Sequence, residues 1–142
     1  MKKSTLQVTH QYEFDLLGLV APVKDYKMAW LINNCLGIRL VKAKDFRMEF
    51  VHQPDLFISQ FMLKKEHGYI QLLKNRSHSN TGLVRYLIPE LKIMDYFLLL
   101  QDYTLEMNIN SYIESLSGTR FIQNVVKLDI SKLKSKENLL TY

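Results

Sequence analysis

Apolar positions change their period several times along this chain, and each change marks an element. Tyr12 to Val20 has the pattern of a strand whose end, Leu16-Leu17-Gly18-Leu19-Val20, is buried; Pro22 stops it. Met28, Leu31, Ile32, Cys35 and Leu36 then recur at three- and four-residue steps, which predicts a helix. Asp25 is placed to cap its first turn, and Gly37 to end it in a left-handed conformation. Trp30, beside the apolar face, reads as core. Arg39-Leu40-Val41 opens an extended segment in which Phe46, Met48 and Phe50 alternate with Arg47 and Glu49. Leu56 to Leu63 and Tyr69 to Lys74 predict a hairpin joined by Lys64-Lys65-Glu66-His67-Gly68. Asn75 to Gly82 is polar and loop-like, and Leu83 to Ile88 is extended until Pro89 breaks it. Tyr96 to Leu100 is continuously apolar, the pattern of a central strand covered on both faces. Ile109, Tyr112, Ile113 and Leu116 predict a second helix, capped by Asn108 or Asn110 and closed by Gly118. Val126, Leu128 and Ile130 alternate with Lys127 and Asp129 as a last strand, and the tail after Ser135 reads as a short helix or a loose end.

Hairpin-linked strands with only two substantial helices predict an α+β fold: a single, mainly antiparallel sheet of five to six strands with both helices packed on one face. The length of 142 residues suits one domain, residues 1–142, with 1–10 and 135–142 as loose ends. Its 47% hydrophobic residues supply a full core, and a single Cys excludes a disulfide scaffold. No internal repeat or low-complexity segment divides the chain.

The net charge of +5 is spread evenly. Its densest alternation is Lys132, Lys134 and Lys136, which on an extended segment would present three ammonium groups to one side, as a phosphate-tracking strip. Met1-Lys2-Lys3 is not followed by the apolar run of a secretory signal, and no stretch reaches membrane-span length, so the expected compartment is the cytoplasm. Catalytic and cofactor signatures are missing. The five glycines are too far apart for a phosphate loop. His10, His52, His67 and His78 are scattered away from one another and from Cys35, so no metal is expected. Cys35 sits on an apolar helix face, the setting of a core thiol. Ser117-Gly118 lacks the preceding glycine of a nucleophile elbow, and Asp102 and Glu106 read as surface charges. Phe57, Phe61 and Tyr69 read as core or interface rather than as a base-stacking sheet.

One segment stands out: Ile88-Pro89-Glu90-Leu91-Lys92-Ile93-Met94-Asp95-Tyr96. Pro89 forces Ile88 to be extended, Glu90 and Lys92 fall on a turn, and Asp95 precedes the buried strand, where its carboxylate can accept backbone N–H groups. The segment resembles the signature of the bacterial IPExxxVDY family: Ile88, Pro89, Glu90, Asp95 and Tyr96 match at the right spacing, with Met94 in place of Val. The Leu17-Gly18 strand end, Tyr26, Ala29-Trp30 and Asn33 of the first helix, and Leu87 and Phe97 around the signature are also similar to that family. The resemblance names a family and transfers no catalytic residue.

Two readings of the signature follow. It is a rigid, carboxylate-capped turn, or Glu90, Asp95 and Tyr96 line a recognition surface together with Asn75 and Arg76. The leading functional expectation is a non-enzymatic cytoplasmic protein-interaction module, homodimeric through an open sheet face or edge, with no cofactor. The alternatives are an RNA-associated protein using Lys132, Lys134 and Lys136, and a small-ligand binder or enzyme at the signature.

Overall fold

A computed structural model describes residues 14–49, 52–77, 84–102 and 108–139. The order is β1 (Asp15–Val20), α1 (Asp25–Leu36), β2 (Val41–Met48), β3 (Leu56–Lys65), β4 (Gly68–Lys74), β5 (Tyr96–Asp102), α2 (Ile109–Ser117) and β6 (Asn124–Leu128). The strands form one open six-stranded antiparallel sheet in the order β2-β3-β4-β5-β1-β6, so the fold is α+β as the pattern implies.

β5 lies inside the sheet between β4 and β1, and Tyr96 to Leu100 are buried throughout. Its alternate side chains serve two cores. Tyr96, Leu98 and Leu100 join Leu17, Leu19, Ile70 and Leu72 beneath Met28 and Ile32 of α1 and Leu116 of α2. Phe97 and Leu99 point the other way, with Leu16, Ile58 and Leu73. Among the described residues neither α-helix covers that second face. Leu87, Ile88 and Met94 from the signature region and Leu133 and Leu139 from the C-terminal part cover it instead. Each such side chain stabilises by roughly 1.5–3 kcal/mol when fully buried, so the irregular segments act as a second layer.

Both edges carry features that discourage strand addition. β2 is bulged between Ala43 and Phe46 and bears Lys42, Lys44 and Arg47, while β6 is only five residues long and bears Lys127. The start of β4 lies close against the end of β5 because Gly68 has no side chain: a Cβ there would lie 2.0 Å from the Gln101 carbonyl oxygen. Gly37 ends α1 at φ 65°, as expected.

Several expectations need correction. Asp25 is not the cap of α1; Lys24 is, and Asp25 is the first helical residue, its carboxylate accepting from Tyr26 N–H and the Ser59 hydroxyl. Leu83 to Ile88 is not a strand: from Val84 on, the described part pairs only through one bridge, Tyr86 with Arg76. Ile130 does not extend β6, because Asp129 caps a 3-10 turn over Ile130–Lys132 by accepting from Ser131 N–H. That turn, and a second over Lys136–Leu139, break the extended geometry on which a Lys132, Lys134, Lys136 strip depends. Buried Leu133 and Leu139 impose this path by reaching the second core. The tail from Ser135 is therefore a short helix as far as Leu139, not a loose end. Residues 1–10, with His10, lie outside the described residues, as do His78 and Glu106. Among the described residues no helix is long and apolar enough to cross a membrane.

Candidate functional site

The signature region is organised from one buried residue. Asn75 follows β4 and is completely inaccessible. Its Nδ2 donates to the carbonyls of Leu91 and Met94, both at 2.9 Å, and its Oδ1 accepts from Ile88 N–H at 2.9 Å. Its backbone N–H donates to the Asp95 carbonyl, and its own carbonyl accepts from Leu87 N–H. All its polar groups are spent on holding the chain from Leu87 to Asp95 against the sheet end.

The other signature side chains are also engaged. Pro89 opens a 3-10 turn over Pro89–Leu91. Glu90 accepts from Ser135 N–H and the Ser135 hydroxyl, both at 2.8 Å, which clips the C-terminal part onto the turn. Burial pushes the Glu90 carboxyl up, but these donors and neighbouring backbone N–H groups outweigh it and hold the group below its ordinary range. Asp95 accepts from Ala21 N–H at 2.8 Å, and its own N–H donates to the Leu19 carbonyl, so it fixes the bend after β1. The Tyr96 hydroxyl donates to the Val23 carbonyl; burial, with the nearby Asp25 and Asp95 carboxylates, raises its pKa and keeps it neutral. Arg76 is different: it is exposed, and only its backbone is used, in the bridge to Tyr86.

A polar cleft of about 290 Å³ opens beside this framework. Lys74, Arg76, Tyr86 and Lys92 form its rim, with Asp95 and Tyr96 among its lining. The Lys92 ammonium stands 5.8 Å from the centre of the Tyr86 ring. Lys74, Arg76 and Lys92 make no ion pair with any described residue, whereas Lys42, Arg47 and Lys127 all do. Glu90 is not in this cleft; it faces Ser135. A larger and shallower groove of about 680 Å³ runs beside β1 and β6 past Phe14, Leu128 and Lys136. Its two carboxylates are occupied, Asp15 by Lys127 at 3.8 Å and Asp129 by Ser131.

A second region gathers exposed aromatic groups. Trp30 is 61% exposed and Tyr26 is 64% exposed, so the core reading of Trp30 fails. The spacing Tyr26, Trp30, Asn34 runs straight along the outer face of α1, and the polar Asn34 in that line is the signal for solvent. Beyond α2, Phe121 is 45% exposed and has φ 78°, a left-handed backbone that a bulky residue rarely adopts. It is the third residue of the turn closed by Ile122 N–H on the Thr119 carbonyl, where glycine is the unstrained choice. Lys27 of α1 stands 3.9 Å from the centre of the Phe121 ring, and the Arg120 guanidinium 5.1 Å from it. The ring thus has two cations against it, and one of them, Lys27, is three residues before Trp30 and so its neighbour on the helix surface. No motif signals Phe121 in advance, because its strain is a backbone property.

Other polar groups are structural. Ser59 is buried on the helix side and donates to Asp25, while Lys42 donates to Ser59 at 3.0 Å and to Asp45 at 2.8 Å. Burial alone would raise the Asp25 pKa; the Ser59 and Tyr26 donors and the Lys42 charge bring it below its ordinary value instead. Ser59 is inaccessible to a substrate, which removes it as a nucleophile. Cys35 is half-buried against the helix-side core and accepts from the Thr119 hydroxyl at 3.0 Å. Phe61 is buried while Phe57 is exposed on β3, so the strand aromatics do not form a continuous stacking surface. Among the described residues no group of three or more His, Cys, Asp or Glu is placed to hold a metal. Comparison with protein-family models, with curated proteins and with solved structures finds no match.

Proposed function

We propose that this protein is a non-enzymatic interaction module that binds a protein partner through the Tyr26, Trp30 and Phe121 surface. Membership of the IPExxxVDY family is part of the same reading and rests on the signature residues; it names no substrate. The observation that carries the proposal is Phe121, a large ring kept in a conformation that suits glycine, with nearly half its surface in water. Folding alone favours neither its backbone nor its exposure. Trp and Tyr beside it are the residue types that dominate protein interfaces, and two flanking cations complete an amphipathic patch.

Charge decides the kind of partner. Lys27 and Arg120 both stand against the Phe121 ring, so the surface fits an apolar partner with acidic groups. A second copy would bring the same cations face to face, and strand addition at β2 or β6 meets the edge protection described above. These features favour an acidic partner over the homodimer that the strands alone suggest.

The experiment is capture from the native cell with the wild-type chain, Trp30→Ser and Phe121→Gly, alongside light scattering at micromolar concentration. A partner of acidic character that is retained by wild type and lost with both variants, at unchanged circular dichroism, is the expected result. Identical proteins captured by all three chains would overturn the proposal. A dimer that dissociates in Trp30→Ser would keep the surface and make the second copy its occupant.

A further inference from the structure

The cleft between the end of β4 and the signature region is independent of the aromatic surface. We propose that it binds a small phosphate monoester, with Lys74, Arg76 and Lys92 as the anion-binding groups.

Three observations carry this assignment. The first is charge. Lys74 and Arg76 from the end of β4 and Lys92 from the signature line one hollow in which Asp95 is the one carboxylate of the lining, with Asp25 near enough to Lys74 to feel its charge. None makes an ion pair with a described residue. Like charges gathered around a concave surface repel one another and focus a positive potential that an anion relieves. The second is rigidity. Asn75 lies between Lys74 and Arg76, and the same side chain holds the carbonyls of Leu91 and Met94, on either side of Lys92. One buried amide therefore fixes the backbone under all three cations, which lowers the ordering cost of ligand binding. The third is size. A volume of about 290 Å³ lies at the lower end of small-molecule sites, enough for a phosphate and a short body but not a nucleotide. Guanidinium suits bidentate phosphate recognition, and Lys adds point charge. Tyr86 supplies an apolar wall, and Asp95 a carboxylate able to accept a hydroxyl from the ligand body.

The test is titration calorimetry of the full chain with inorganic phosphate, glycerol 3-phosphate, glycerol and a single-stranded RNA. Glycerol 3-phosphate should bind more tightly than phosphate, and glycerol should not bind. Arg76→Gln and Lys92→Gln should each weaken glycerol 3-phosphate about tenfold or more, the loss of one charge-assisted contact. Both side chains are exposed, so both variants should keep the wild-type circular dichroism. Lys134→Gln, outside the lining of the cleft, and Trp30→Ser should leave binding unchanged, which separates this proposal from that of the aromatic surface. Absence of heat with either phosphate compound up to about 10 mM overturns the assignment. So does equal weakening by Lys134→Gln, and so does RNA binding that glycerol 3-phosphate fails to displace.

Discussion

Two regions of this molecule treat their polar and apolar groups in opposite ways. Around Asn75, an irregular stretch buries Leu87, Ile88 and Met94, and the side chains of Asn75, Asp95, Tyr96 and Glu90 all close loops of chain by bonding to backbone groups. Around Phe121 and Trp30, regular or tightly turned backbone carries large rings that remain in water, one of them strained. The first region has the energetics of a structural joint, and the second has unspent interaction capacity. The signature residues themselves thus hold the fold together, while interaction capacity is left over on the unsignalled aromatic surface and on the cations beside the joint.

The sharpest way to break this contrast is Asn75→Ala. It leaves the Met94 carbonyl and the Ile88 N–H buried without partners and the Leu91 carbonyl with Met94 N–H alone, and unsatisfied buried groups cost about 1–3 kcal/mol each before any relaxation. A loss of about 4 kcal/mol in urea denaturation is expected. A loss under about 1 kcal/mol would mean that the joint does not depend on its hub. Asp95→Ala should cost about 2 kcal/mol, by orphaning the Ala21 N–H. An equal melting profile for that variant and wild type would mean that its bond to Ala21 does not hold the bend.

The contrast also explains what was legible beforehand. β5, α1 and α2 follow from periodicity, because long apolar runs and three-to-four spacing are properties of the chain itself. Asp95 as an anchor for backbone N–H groups, and Gly37 as a left-handed stop, follow from local chemistry. Asn75 is legible as a binding or turn-organising residue of this segment, but its place as the hub is not, because that depends on contacts up to nineteen residues away. The failed lysine strip has the same origin. Leu133 and Leu139 pull the chain into 3-10 turns through tertiary burial that alternation cannot reveal. Trp30 was misread because hydrophobicity was given more weight than its place in line with Tyr26 and Asn34.

On the aromatic surface the predicted effects are smaller, and a pair of variants isolates the strain. Phe121→Ala and Phe121→Gly both remove the ring and its contacts with Lys27 and Arg120. Only glycine also relaxes a left-handed backbone, which costs an L-residue about 1–2 kcal/mol. The glycine variant should therefore be more stable than the alanine variant by about 1 kcal/mol, in paired thermal or urea melts. Equal stability would remove the strain argument, and with it the main reason for reading Phe121 as functional. Trp30→Ser should change stability by no more than about 0.5 kcal/mol, as an exposed substitution does.

The smallest effect belongs to Glu90, the exposed outer clip of the satisfied region. Its folded-state pKa lies below the ordinary value of 4.5, so folding favours its ionised form. That contribution is fully present above the unfolded value and is lost as pH falls through the lowered folded one. Protonation weakens both bonds from Ser135 and leaves the turn over Lys136–Leu139 leaning on the burial of Leu139 and the bond from Asn138 Nδ2 to the Leu87 carbonyl. Between pH 5 and pH 3, about the window in which carboxylates titrate, the Leu139 methyl resonances should shift toward their solvent-exposed positions before the sheet unfolds. Glu90→Gln keeps the shape without the charge, so it should show that shift already at neutral pH and lose its dependence on acid. If the Leu139 methyls stay in place in Glu90→Gln, apolar burial alone holds the C-terminal layer, and the satisfied region ends at Asn75 and Asp95 rather than at the turn.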